Sequence, residues 1–248
     1  MKKAFLFAIF AVFGGIAGNR TNAKTADVLV AGQTISYSLS LGPVKAGTAK
    51  LVTTAMKYKG EQAYKIELLA MTGKAASKIF SMNDTLRSIV LPDLTPKSFW
   101  KHSQEEDYES VENVSFENGT VRLEKLRKGQ LKTNTVECSE PVYDMVSLIM
   151  VARSLDFSKL KPGQRLEFKV ASGLSVSTEY LEYQGHDRLK AAGKQNECLK
   201  FALIEPKMDK GKLKESELMT IYILPNASHL PVGIDFNLKF GTAKARLL

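Results

Sequence analysis

Thr34-Ile35-Ser36-Tyr37-Ser38-Leu39-Ser40-Leu41 sets hydroxyl side chains against apolar ones at alternate positions. A period of two puts Ile35, Tyr37, Leu39 and Leu41 on one side of an extended chain and the serines on the other, as expected of a strand with one buried face. Gly42-Pro43 breaks the run, and two further runs follow at 47–56 and 63–71 with Lys59-Gly60 between them. Glycine after a polar residue is a turn signal, so this part of the chain reads as an antiparallel meander.

The same grammar continues. Residues 79–91 carry another strand or two, and Leu91-Pro92-Asp93-Leu94-Thr95-Pro96 is a proline-punctuated turn. The charged segment 101–114, with its spaced tyrosine and valines, is expected as a solvated outer strand. Asn118-Gly119, between Val114-Ser115-Phe116 and Thr120-Val121-Arg122-Leu123-Glu124, is the strongest hairpin signal in the chain. Past Lys161-Pro162-Gly163, segments 165–170, 173–183, 199–205, 217–224 and 232–240 favour strands, with Gly211 in a lysine-rich loop over 207–214. A short echo, Gly47-Thr48-Ala49-Lys50-Leu51 against Gly241-Thr242-Ala243-Lys244, is too brief to establish duplication.

Residues 141–155 differ. Val142, Tyr143, Met145, Val146, Leu148, Ile149, Met150 and Val151 make a run apolar nearly all round. A helix with no polar face is buried, so one is expected here against the concave side of the sheet, with Ser139 as cap and Pro141 at its opening position. The fold expectation is mainly β: a curved antiparallel sheet, or an open barrel-like meander, with one buried helix at about 141–155.

The start of the chain gives an address. Lys2-Lys3, a short apolar core through Phe13 to Ile16 and then small residues have the order of a secretory leader, with cleavage after Ala23 or after Gly18. The core is shorter than the roughly 20 residues a bilayer span needs, and no cysteine lies near for a lipid anchor. The domain expectation is a leader over 1–23 and one β-rich domain over 24–248, exported to the periplasm or cell envelope with no membrane span after cleavage. The net charge of +9 includes Lys2, Lys3 and Arg20, whose removal leaves about +6. Basic residues are spread and mixed with acids, as in 194–214, so a solvated surface is expected rather than a nucleic-acid site, which would gather them on one element among aromatics.

Cys138 and Cys198 have polar neighbours and read as accessible; in an oxidising compartment they are candidates for a disulfide, bridged or free. No spacing of cysteine or histidine suits a metal, and no cofactor is expected. Nucleophile elbow, H-E-x-x-H, P-loop and EF-hand patterns are absent. His102, His186 and His229 read as surface residues. Glu105, Glu106, Asp107, Glu109 and Glu112 offer paired carboxylates of the kind glycoside hydrolysis uses, but read first as a solvated strand face. Phe99 and Trp100 read as core, or as a platform for a sugar or lipid. Asp84-Thr85-Leu86 matches a short bacterial O-glycosylation acceptor pattern.

Several phrases, in order, resemble a family of exported bacterial proteins of unknown function, DUF3108. The tyrosine strand leading through Gly42-Pro43-Val44-Lys45-Ala46-Gly47-Thr48-Ala49 resembles its opening. Ile79-Phe80 with Asp84, and Leu91-Pro92 to Phe99, resemble its next strand and proline turn. Asp144, Ser147 and Arg153 fit its "D-x-x-S" then arginine pattern on the helix, and Leu230-Pro231-Val232 to Phe240-Gly241 its ending. The resemblance implies a periplasmic antiparallel β protein, with a curved sheet like that of the lipoprotein carriers by fold analogy, and supplies no catalytic residue. Asp84, Asp144 and Arg153, with Ser147, are expected as a buried polar cluster holding helix to sheet, or as the lining of a ligand mouth.

The functional expectation is a non-enzymatic envelope protein that holds an apolar or amphiphilic ligand, a lipid for instance, or an envelope partner in the concavity of the sheet. The alternatives are an envelope scaffold or assembly factor acting through protein contacts and, last, a polysaccharide hydrolase.

Overall fold

The computed structural model describes residues 28–74, 76–78, 81–105, 108–210, 212–238 and 241–248. The leader read in 1–23, with both cleavage points, lies outside them, as do Ile79-Phe80, Glu106-Asp107, Gly211 and Phe240. Among the described residues no helix is long and apolar enough to cross a membrane.

The first half of the chain is an unbroken meander: β1 (Thr34–Leu41), β2 (Val44–Tyr58), β3 (Glu61–Thr72), β4 (Met82–Val90), β5 (Pro96–Glu105), β6 (Tyr108–Glu117), β7 (Thr120–Arg127) and β8 (Gln130–Glu137). A two-residue strand β9 (Val142–Tyr143) and the helix α1 (Met145–Ser154) follow. The second half is β10 (Arg165–Ser172), β11 (Ser175–Ala191), β12 (Lys194–Asp209), β13 (Lys212–Ile223), β14 (Pro231–Leu238) and β15 (Gly241–Leu247). Asn118 and Gly119 take φ of 50° and 79°, and Lys59-Gly60, Lys128-Gly129 and Ala192-Gly193 repeat the pair of positive angles. Two positive φ values in a two-residue loop match the right-handed twist of the strands they join, so glycine at the second position sets these hairpins.

The fifteen strands of the described residues form one sheet, β8-β7-β6-β5-β4-β3-β2-β1-β15-β14-β13-β12-β11-β10-β9. The motif echo now has a place: its two copies lie in β2 and β15, the strands that flank β1 on either side. β8 and β9 occupy opposite edges of the sheet, yet only residues 138–141 separate them in the chain. The sheet therefore curls until its edges approach. Asn134 Nδ2 on β8 donates to the Leu174 carbonyl in the β10–β11 turn at 2.9 Å, and the Gly173 N–H donates to Glu112 Oε2 at 3.2 Å. A seam between β8 and the β9–β10 edge leaves the barrel incomplete. Every neighbouring pair but β9–β10 is antiparallel, so the turns alternate between two rims. The β1–β2, β3–β4, β5–β6, β7–β8, β10–β11, β12–β13 and β14–β15 turns share one, the lower rim.

The helix fills the hollow. Val146 and Met150, both 0 % exposed, join a cluster built by Ile35, Ile66, Leu86, Phe99 and Leu123 of the first half. Leu148 and Ala152 join a second cluster with Leu181, Phe201, Met219 and Ile223 of the second half. An apolar side chain buried in this way stabilises by roughly 1.5–3 kcal/mol, and α1 does so on two sides because the sheet wraps it.

Three local expectations are corrected. The helix starts at Met145 with Asp144 as cap, not near Ser139 and Pro141; proline disfavours helical angles in the residue before it, and Val142-Tyr143 instead pair in parallel with Lys169 and Val170. Segment 101–114 is not a solvated outer strand but parts of β5 and β6, inside the sheet order, with Lys101, Ser103, Ser110 and Glu112 buried. Of the two alternatives left open for Cys138 and Cys198, bridged or free, the structure has both thiols free; Cys198 packs with Ala191 and Val232 while Cys138 packs at the edge of the first cluster. Cys198 is also fully buried rather than accessible: Glu197 alternates to the other face of β12, while Asn196, two residues back on the face of Cys198, is buried with it.

Candidate functional site

Asp84, Asp144, Ser147 and Arg153 are all buried, between 0 and 2 % exposed, but they have three separate sets of partners. Asp144 accepts from the Val146 and Ser147 N–H groups at 2.9 Å each, from Ser88 Oγ on β4 at 2.7 Å and from Ser147 Oγ at 2.9 Å, while Ser147 Oγ accepts from the Asp144 N–H. This reciprocal cap satisfies helix donors that would otherwise be orphaned, and Ser88 ties it to the sheet. Burial pushes the Asp144 carboxyl above its ordinary range and the donors pull it back. Arg153, at the far end of α1, donates to the carbonyls of Val28 at 3.4 Å and Ser228 at 3.2 Å, and its own carbonyl meets His229 Nδ1 at 2.7 Å. These two residues fasten the helix. Asp84 belongs elsewhere: it accepts from the Gln104 N–H at 3.1 Å.

Asp84 opens onto a larger feature. Followed toward the lower rim, the inner face of these strands changes from apolar to polar: Leu86, Asp84 on β4; Phe99, Lys101, Ser103 on β5; Val114, Glu112, Ser110 on β6; Leu123, Lys125, Arg127 on β7. Register aligns them into a row Lys101–Glu112–Lys125 and a row Asp84–Ser103–Ser110–Arg127. Lys125 Nζ lies 2.6 Å from Glu112 Oε1. The other half of the barrel matches, with Tyr183, Leu181, Glu179 on β11 and Phe201, Leu203, Glu205 on β12. Burial pushes the Asp84 carboxyl up to about 6, with Glu105 adding to the rise and Lys101 opposing it. Burial together with the Glu205 charge pushes Glu179 up to about 7.

At this polar end lie two adjoining depressions, the second of them at the seam. One, of about 610 Å³, is lined by Glu105, Tyr108, Ser110, Leu126, Arg127 and Lys128 among others. The other, of about 400 Å³, lies between β7–β8 and the β10–β11 turn, against Lys125, Arg127, Lys128, Lys132 and Leu174. Arg127 sits over the Tyr108 ring at 4.5 Å. Ser110 is 2 % exposed and its Oγ has no hydrogen-bond partner among the described residues, the condition of a group that awaits a water or a ligand. The larger volume falls in the range of small-molecule sites; its walls carry Arg127 and Lys128 together with Glu105 and Glu109, whereas the smaller depression is lined by four cations and no acid.

This cationic cleft is absent from the sequence expectation, which judged the basic residues dispersed. The signal was present: Lys125, Arg127, Lys128 and Lys132 fall within eight residues that contain no acid. The acidic group resolves differently. Strand alternation turns Glu105 and Glu112 inward and Glu109 outward, where it meets His102 Nε2 at 2.9 Å, while Glu106 and Asp107 lie outside the described residues. Among the described residues no set of three histidine, cysteine or acidic side chains is placed to hold a metal.

A single antiparallel sheet curled round one helix, left open at a seam, defines a β-barrel-like protein. The chain belongs to the DUF3108 family, described as a protein of unknown function, whose model matches residues 36–248. The resemblance drawn from its motifs is thereby borne out. Among solved structures the chain is similar to a β-barrel-like protein of the domain of unknown function DUF1849 from Brucella abortus. The identity is 11 %, the match covers 87 % of this chain and 94 % of that one, and the TM-score is 0.52. That likeness is one of fold. No curated protein matches the chain.

Proposed function

We propose that this chain is a non-catalytic protein of the cell envelope, exported by the leader read at its start, that holds an amphiphile with an anionic head group in the cleft at the lower rim. The observation that carries this reading is the run of cations bordering both depressions, Arg127 and Lys128 in each and Lys125 and Lys132 in the smaller, with the unpartnered Ser110 hydroxyl in the lining of the larger beside Glu105 and Glu109. Cations and a hydroxyl donor suit an anionic head, Tyr108 and Leu126 offer apolar surface beside it, and an apolar interior begins at Leu86, Phe99, Val114 and Leu123, two to four residues further up the strands. The deep concavity is occupied by α1, so the ligand of this reading sits at the rim rather than beneath the helix.

The test is titration of the purified full chain with anilinonaphthalene sulfonate, an anionic amphiphilic dye, and with its uncharged parent anilinonaphthalene. Removing a charged hydrogen-bond donor costs about 1.5–3 kcal/mol, or roughly a tenfold or greater loss of affinity. Arg127→Ala is expected to weaken the anionic dye by that factor and to leave the neutral one little changed. A wild-type chain that binds neither dye, and that carries no lipid detectable by mass spectrometry when isolated from its native host, refutes the reading.

A second reading, an assembly factor working through a sheet edge, is favoured by β8. It ends the sheet, and Gln130 to Thr135 are exposed along it. Crosslinking in cells from Thr133 that repeatedly captures one protein would support it over the first.

A further inference from the structure

The exposed large apolar side chains are not scattered. Of the eight among the described residues, Val30 and Leu248 lie at the ends of the described chain, and the other six are Val44, Met71, Leu126, Leu131, Met208 and Leu213. Each of these six stands within two residues of a turn at the lower rim. Two pairs face each other across hairpin tips: Leu126 with Leu131 on β7–β8, and Met208 with Leu213 on β12–β13. They are between 43 and 60 % exposed. Apolar cross-strand pairs normally stabilise a sheet by burial against neighbours, and these four remain largely in water.

The charges around them have one sign in excess. Arg127, Lys128 and Lys132 are exposed round the first pair, and Lys210, Lys212 and Lys214 round the second. Both tips even set lysine against lysine, Lys125 with Lys132 and Lys207 with Lys214, an arrangement that costs stability in a sheet. Glu112 holds Lys125, Glu205 holds Lys207 and Asp209 holds Lys214, so the remaining cations of the tips carry the surplus.

We propose that the lower rim docks on the surface of an anionic lipid bilayer, the hairpin tips placing Leu126, Leu131, Met208 and Leu213 in the interfacial layer and their lysines and Arg127 among the head groups. Apolar side chains ringed by cations bind such a surface by combining apolar burial with attraction to anionic lipid. A neutral protein surface would complement the apolar pairs but not the ring of cations around them. Leu126 and Arg127 also line the larger depression, so the two readings share the β7–β8 tip, but Met208 and Leu213 line neither depression and the β12–β13 tip tests docking alone.

The test is flotation of the full chain with vesicles of pure phosphatidylcholine and with vesicles containing about one third phosphatidylglycerol. Binding is expected to the anionic vesicles, falling at high salt because exposed charges are screened within a Debye length. Met208→Ser combined with Leu213→Ser is expected to lower the bound fraction at least tenfold while leaving the thermal midpoint and the dye affinity of the cleft unchanged. Lys210→Glu with Lys212→Glu is a second, independent variant expected to do the same. Equal binding to both vesicle types, undiminished binding by both variants, or no vesicle binding with self-association of the free chain instead, overturns the proposal.

Discussion

Glu179 gives the sharpest check on the polar end of the barrel. Its carboxyl lies on the inner face of β11, 4 % exposed, one step along from the paired Tyr180 and Ile204 and so beside Glu205 on β12. Burial first, and the Glu205 charge second, push it from an ordinary 4.5 up to about 7. A carboxyl whose pKa is raised by folding favours the folded state while it is protonated. That contribution is therefore complete below about pH 4.5 and is lost as pH climbs through 7. A displacement of this size is worth about 3 kcal/mol, so Glu179→Gln, which keeps the shape and hydrogen-bonding capacity of the neutral acid, is expected to be more stable than wild type by up to that amount at pH 8. The gain should shrink through pH 6 and vanish near pH 4. Urea denaturation of both chains at the three pH values measures it. A variant less stable than wild type at pH 8, or one whose difference from wild type does not change with pH, refutes the account of a desolvated acid beside a like charge. Glu205→Gln is the companion measurement: it removes the neighbouring charge and should move the wild-type transition in stability to lower pH, at the cost of leaving Lys207, now 2.6 Å from Glu205 Oε2, without its partner.

Two further pairs of substitutions test the frame. Gly47 lies where β2 bulges against β1, and a Cβ there would stand 2.0 Å from the Met71 carbonyl oxygen on β3; since backbone must move, Gly47→Ala is expected to cost about 1–3 kcal/mol or more and to lower the thermal midpoint by several degrees, whereas Gly73→Ala, with nothing nearer than 3.8 Å, should be nearly neutral. Asp144→Ala strips the α1 cap and strands the buried Ser88 hydroxyl, for about 3 kcal/mol in urea denaturation, against about 1 kcal/mol for Ser88→Ala; equal costs for the two would show that Asp144 serves only as the partner of Ser88.

The meander was legible because its signals are local. Alternation in Thr34–Leu41 and the Lys59-Gly60 and Asn118-Gly119 turns depend on neighbours in the chain, and each stands where expected. The apolar run at 141–155 revealed a buried element but hid its boundary, since nothing in Val142-Tyr143-Asp144-Met145 separates a strand pair from a helix; the choice falls to β10, which offers Val142 and Tyr143 ladder partners, and to Ser88, fifty-six residues away, which meets the cap. β8 escaped notice because an edge strand wet on both faces has no alternation to read. β15 was hidden in the echo motif, whose small residues carry little strand signal. The cationic cleft needed the curl of the sheet: Lys132 and Leu174 are distant in sequence and meet only because β8 returns toward the β10–β11 turn.

The helix and the rim divide the interior between two tasks. An antiparallel sheet this wide, closed without a plug, would enclose more space than strand side chains fill, and α1 supplies the missing volume from Val146 and Met150 on one side to Leu148 and Ala152 on the other. It is fastened at Asp144 to β4 and at Arg153 to the carbonyls of Val28 and Ser228, so the upper part of the barrel has little freedom to open. The lower part is built otherwise. Its inner face carries acids and lysines that burial disfavours unless they are paired, its seam is bridged by few hydrogen bonds, and its turns are the ones that expose leucine and methionine. A rigid plugged half and a polar, unsealed half together give the molecule a direction. A head group held by Arg127 and Lys128 would lie at the same rim as the hairpin tips proposed to enter a lipid surface, so an amphiphile released from the cleft would meet that surface without its apolar part first crossing open water. The order of events is open to measurement: if the cleft works in concert with docking, anionic vesicles should displace bound anilinonaphthalene sulfonate from wild type, and should fail to do so from the Met208→Ser, Leu213→Ser chain, whose cleft is intact.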